Sequence, residues 1–182
     1  MLTKAERVLA VREGGWTDRM HTVHKSRRYG VDGHSWGVAT LAHTMFPEDT
    51  TKDLLLACLY HDVPERWVGD TPHPAKRNFN PRFGEELHKA EEMFMQELDL
   101  VVELTEREEQ ILKFCDMLEF VLWSWEEVRM GNTLMEGSFT HSMKCLKKMD
   151  LYEEVEDVMM NLIRPGASES ENWWKDLMNV QG

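Results

Sequence analysis

Four side chains set in separate apolar neighbourhoods, His34, His61, Asp62 and Asp116, are of the types that hold a divalent metal. The pair His61-Asp62 follows the run Leu54, Leu55, Leu56, Ala57, Cys58 and Leu59, which delivers an imidazole and a carboxylate to the edge of the core. Unpaired there, they would cost several kcal/mol, so a cation is the natural partner. Two nitrogen and two oxygen donors suit one divalent Mn, Co, Fe, Ni or Zn ion better than calcium or a thiolate-bound structural zinc. Such an ion lowers the pKa of a bound water and withdraws charge from a phosphoryl oxygen, which is phosphoester hydrolysis chemistry. Glu65, three residues beyond Asp62, is expected on the same helical turn, in reach of the attacking water or the leaving oxygen. Each signal alone has an ordinary reading, a capping histidine or an aspartate paired with a nearby Lys or Arg. Their joint pattern points to a site. His21, His24, His43, His73, His88 and His141 are assigned surface or structural roles.

The elements that must position these groups read as helices throughout. Thr3 with Glu6 is a capping box for a first helix closed by Gly14-Gly15. The stretch Asp18 to Gly33 has no sustained periodicity, and Gly30 and Asp32-Gly33 read as turn chemistry before His34. Ser35 then caps a helix to Met45, with His34 at its N-terminal edge. Thr50 or Thr51 opens the helix carrying His61 and Asp62, interrupted at Pro64, and Asn80-Pro81 restarts a helix to about Leu98. Thr105 with Glu108 caps the longest helix, ended by Gly131-Asn132, along which Leu112, Asp116, Phe120 and Trp123 form a row with Asp116 as its only charge. Helical stretches at Leu134–Met149 and Leu151–Ile163 follow, then an extension over 165–182 with a short helix capped by Ser168 and carrying Trp173, Trp174, Leu177 and Met178. No run alternates like a strand, so the chain reads as a single all-α domain of 182 residues.

The net charge of −12 argues against binding the backbone of a nucleic-acid polymer, but not against a small anionic substrate. Basic residues gather in two places, Arg19, Lys25, Arg27 and Arg28, then Lys76, Arg77 and Arg82. They are either phosphate receivers or ordinary solvated charge. The N-terminus lacks a secretory h-region, no apolar run reaches the roughly 20 residues of a membrane span, and Cys58, Cys115 and Cys145 form no CxxC. A cytoplasmic location with reduced thiols is expected. The aromatic helices around Trp123, Trp125, Trp173 and Trp174 lead to the expectation of a homo-oligomer, at least a dimer.

Gly33-His34-Ser35, YHDVPERWVGDTPHPAK and KFCDMLEFVLWSWEEVRMGN together resemble the HD-domain phosphohydrolase superfamily, in particular its bacterial 5′-deoxynucleotidase branch. They are also similar to the related small viral dATP triphosphohydrolases. The likeness spans about Asp18 to Asn132. It implies an HD-domain helical bundle in which His34, His61, Asp62 and Asp116 hold the metal. It further implies that Glu65 works on the catalytic water, Asp70 recognises the sugar 3′-hydroxyl, and Arg19 and Lys76 contact phosphate. Arg and Lys suit that task because they neutralise phosphate oxygens as charge builds. The family's arginine is usually followed by Trp, which packs on the sugar and base; this chain has Met20. A flexible thioether sets no fixed plane, so 2′-deoxy discrimination is looser or is carried by another side chain.

The leading activity implied is removal of phosphate from deoxynucleoside monophosphates. The alternative is a dNTP triphosphohydrolase, dATP first. An alarmone hydrolase ranks lower because Arg66 stands where that branch commonly has Asp, and a metal-bound nucleotide sensor without turnover ranks lower because every proposed ligand and Glu65 are present.

Overall fold

Helix α6 (Glu106–Arg129) is the axis about which the others are arranged, and it packs on α2 (Val31–Met45) and α3 (Lys52–Tyr60). The computed structural model describes residues 2–72, 74–76 and 81–163. The remaining helices are α1 (Lys4–Gly14), α4 (Glu65–Val68), α5 (Pro81–Glu97), α7 (Glu136–Leu146) and α8 (Tyr152–Ile163), with 3-10 turns at Pro47–Asp49 and Thr133–Met135. Among the described residues no strand occurs, only an isolated bridge between Asp18 and Gly30, so the expected all-α bundle is found. Asn80 as a cap, Arg77 and the whole of 165–182, with Ser168, Trp173 and Trp174, lie outside the described residues.

The main core joins Val38 and Ala42 of α2, Leu54 and Cys58 of α3, Ile111, Phe114, Cys115, Leu118 and Val121 of α6, and Val155 and Met159 of α8. The α6 residues in it recur at spacings of three and four, one face of a helix. The row Leu112, Asp116, Phe120 lies beside that face and is only partly buried, which gives α6 a margin between core and solvent where a functional group can sit. A second cluster stacks Tyr29 on Trp123, with ring centroids 4.2 Å apart, and adds Met135.

Caps set the register. Both expected capping boxes form, Thr3 with Glu6 and Thr105 with Glu108. Thr51 caps α3 by accepting from the Leu54 N–H at 3.1 Å, and its hydroxyl donates to Glu108 Oε1 at 2.5 Å. The starts of α3 and α6 are therefore tied together. From that tie His61 is ten residues beyond Thr51 and Asp116 eight residues beyond Glu108. At about 1.5 Å of rise per residue, they lie roughly 15 Å and 12 Å along their helices.

The start of α2 differs from expectation. The helix begins at Val31 with Gly30 as its cap, and the His34 N–H donates to Gly30 O at 3.0 Å. Burial of Tyr29 and Val31 draws the chain into the helix early, and Asp32 in the first turn suits the positive helix end. Ser35 is consequently a buried core residue rather than a cap. The expected exposed aromatic surface also moves: Trp123 is buried against Tyr29, and Trp125 stacks on Phe139 at 5.2 Å. Among the described residues the exposed tryptophans are Trp16 (65%), Trp36 (68%) and Trp67 (43%).

Candidate metal centre and phosphate site

Three segments converge on one point. His34 comes from the first turn of α2 and is fully buried, His61 caps the C-terminus of α3 with Asp62 following, and Asp116 projects from the middle of α6. His34 Nε2 lies 3.1 Å from Asp116 Oδ1, 3.4 Å from Asp62 Oδ2 and 3.3 Å from His61 Nε2. His61 Nε2 is 3.4 Å from Asp62 Oδ2 and 3.9 Å from Asp116 Oδ1. One donor atom each of His34, His61 and Asp116 falls within 4.8 Å of the others, a spacing that suits a metal ion.

The protonation pattern of these groups favours a cation. His61 Nδ1 lies 2.9 Å from the Cys58 carbonyl, which can only accept, so this nitrogen carries the proton and Nε2 presents a lone pair. Burial pushes the His61 pKa down to about 4, with the neighbouring Asp116 charge opposing, which keeps the ring neutral. Its Nε2 faces that of His34 and two carboxylate oxygens, and Asp62 Oδ2 is buried without a directional hydrogen bond. Burial would raise the Asp116 pKa, yet the adjacent His34 and His61 rings and the Arg19 charge hold it well below the usual carboxylate range. Converging lone pairs and anionic oxygens repel one another unless a positive charge lies between them. The residues present thus fit a divalent transition ion.

Arg19 is the cation this chain itself places there. Its Nη1 lies against Asp62 Oδ2, its Nη2 is 3.9 Å from Asp116 Oδ1, and the guanidinium sits 5.4 Å over the Tyr29 ring. The other members of its basic cluster are committed elsewhere: Lys25 to Asp18, Arg27 to Glu126, Arg28 to Asp32. Of that cluster only Arg19 faces the centre. Lys76 is partly exposed, with Nζ 3.7 Å from Glu91 Oε1.

Glu65 opens α4 after Pro64 breaks the chain from α3, so it is not on the helix of His61. One turn still joins the two, because the Glu65 N–H donates to Asp62 O at 3.1 Å. The carboxyl is buried, Oε2 has no hydrogen-bond partner, and burial raises its pKa to about 7, with Arg19 opposing. That value suits a group that takes and returns a proton near neutrality.

Asp70 and Met20 are joined differently from what a pair of substrate contacts would suggest. The Met20 N–H donates to Asp70 Oδ2 at 2.6 Å, and Met20 has a left-handed backbone with φ 54°. Its side chain packs on the Tyr29, Trp123 and Met135 cluster. Two residues that sequence reasoning passed over also belong here. Glu119, one turn beyond Asp116, lies with Oε2 2.5 Å from His34 Nδ1 and accepts from the Tyr29 hydroxyl. The i,i+3 spacing from Asp116 was the available signal for Glu119.

The model of the YfbR-like 5′-deoxynucleotidase family matches residues 11–165. Among solved structures, a protein of Pyrococcus horikoshii is 20% identical with a TM-score of 0.69, covering 88% of this chain and 98% of its own. A conserved hypothetical protein of Pyrococcus furiosus is 20% identical with a TM-score of 0.70, covering 89% and 100%. The HD phosphohydrolase of cyanophage S-2L, solved bound to dA and one catalytic Zn2+ ion, is 22% identical with a TM-score of 0.61, covering 93% and 99%. At these identities the likeness is one of fold. No curated protein matches the chain.

Proposed function

The chain belongs to the YfbR-like 5′-deoxynucleotidase family of metal-dependent phosphohydrolases, and on that premise we propose that it converts deoxynucleoside monophosphates to deoxynucleosides and phosphate. The observation that carries this reading is the convergence of His34, His61, Asp62 and Asp116 beside Arg19 and the raised-pKa Glu65. A divalent transition ion held by those four residues would supply an acidified water and a polarised phosphoryl oxygen. Glu65 accepts a proton as the water oxygen bonds to phosphorus, and returns it to the 5′-oxygen as the P–O5′ bond breaks. Arg19 exchanges part of its contact with Asp62 for phosphate oxygens, and Lys76 meets the outer ones. Asp70 takes the 3′-hydroxyl on Oδ1, its Oδ2 being engaged by the Met20 N–H.

A second reading is supported by the likeness to the cyanophage enzyme solved with dA: dNTP triphosphohydrolysis, with dATP as first substrate. Both substrates place a phosphate beside a deoxyribose, and the products differ. Incubating the Mn- or Co-loaded chain with each dNMP, NMP and dNTP is expected to release inorganic phosphate from dNMPs. Triphosphate from a dNTP establishes the second reading. Asp62→Ala is expected to lose metal and turnover, and full activity in it overturns the site assignment. Among the described residues no helix is long and apolar enough to cross a membrane. We place the enzyme in the cytoplasm as a homo-oligomer.

A further inference from the structure

We propose that Glu119 is the positioning residue that makes His34 an Nε2 metal donor, and that position 37 is glycine to let Glu119 reach it. This rests on the metal reading above. An ionised carboxylate only accepts hydrogen bonds. Glu119 Oε2 lies against both the Tyr29 hydroxyl and His34 Nδ1, so both of those must donate to it. A proton on Nδ1 leaves the Nε2 lone pair pointing at Asp62, Asp116 and His61. Tyr29 cannot make that choice alone: its oxygen is 3.1 Å from Nδ1 and would serve either tautomer, donating to one and accepting from the other. The carboxylate breaks the tie. Its charge also makes the imidazole a stronger donor, as second partners of ligating histidines do.

The approach of Glu119 depends on an absent atom. A Cβ on Gly37 would lie 2.7 Å from Glu119 Cγ, too close to coexist with the present side-chain path. Gly37 is in the interior of α2, where glycine costs roughly 0.5–1 kcal/mol relative to alanine. Helix propensity therefore favours alanine, and the passage of Glu119 favours glycine. His34 and Gly37 share one helix; Asp116 and Glu119 share the other. The pair of helices thus contributes two ligands and the device that orients one of them.

Zn2+ is titrated by competition with a chromophoric chelator into the metal-free full-length chain, comparing wild type with Glu119→Gln, Gly37→Ala, His34→Ala and the surface control Glu126→Gln. Glu119→Gln removes the charge at constant shape, and Gly37→Ala displaces the carboxylate without altering any donor. Both are expected to weaken Zn2+ binding by about 10- to 100-fold. His34→Ala is expected to lose more, and Glu126→Gln nothing. Side-chain 15N–1H correlation spectra of metal-free wild type are expected to show His34 protonated at Nδ1. Should Glu119→Gln fail to fold, Gly37→Ala and the wild-type tautomer decide. Unchanged affinity in either folded variant while His34→Ala loses metal overturns this inference and leaves the metal site standing, as does a wild-type His34 protonated at Nε2. A wild type that binds no Zn2+ overturns both.

Discussion

Glu65 shows how burying one ionisable side chain works against the fold. Its pKa rises from 4.5 to about 7 because burial disfavours the carboxylate. The folded protein therefore holds this proton more tightly than the unfolded chain does. Between about pH 4.5 and 7 the unfolded state has already released the proton while the folded state keeps it, so stability falls as pH rises through that window. Each unit corresponds to about 1.4 kcal/mol. Urea unfolding of metal-free Glu65→Gln should match wild type near pH 4.5 and exceed it by on the order of 2–3 kcal/mol at pH 8. Phosphate release should be abolished. Equal pH slopes in the two proteins would show that Glu65 is not held in this state. The proposed ligands and Glu65 stood out in the sequence because each is an ionisable group among apolar neighbours at a telling spacing. Glu119 was not, because a Glu three residues from Asp116 on a helix rich in acids looks like surface charge until Gly37 brings α2 against it. Nor was the placement of Met20, whose side chain is directed by a cluster assembled from Tyr29, Trp123 and Met135, far apart in the chain.

Helices α3 and α6 work as a pair of measured arms. Their common origin is the hydrogen bond from Thr51 to Glu108, and further along them His61 and Asp116 come within 3.9 Å of each other. Thr51→Val keeps the volume but removes both the cap on Leu54 N–H and the link to Glu108. Loss of an N-cap costs about 1–2 kcal/mol, and a buried bond to a charged group adds to that. Thermal unfolding of the metal-free variant is expected to show a loss of about 2 kcal/mol or more; a loss below about 0.5 kcal/mol would mean the tie does not set the register. Capping boxes were readable because their partners are three residues apart. The true start of α2 was hidden, because Gly30 and Asp32-Gly33 carry turn chemistry locally, and only the tertiary burial of Tyr29 and Val31 pulls them into a helix.

On the scale of the whole molecule, helical periodicity alone announced an all-α bundle, since α2, α3, α6 and α8 each bury one apolar face in the same core. Surface aromatics were less legible. Trp123 and Trp125 are stacked within the chain, and among the described residues Trp16 and Trp36 are the most exposed tryptophans. Exposed rings of this size are enriched at subunit contacts. Light scattering at micromolar concentration is expected to give at least twice the 21.4 kDa chain mass. A monomeric mass would refute the oligomer.

The bond from the Met20 N–H to Asp70 has an evolutionary consequence. It uses only main chain at position 20, so side chains there can be exchanged by mutation without releasing the tie between the Arg19 loop and Asp70. Proline is barred because it lacks the N–H, and β-branched residues are penalised by the left-handed backbone. On the proposed reading, descendants of this enzyme can therefore explore new nucleotides through residue 20 while Arg19 stays anchored to the same frame.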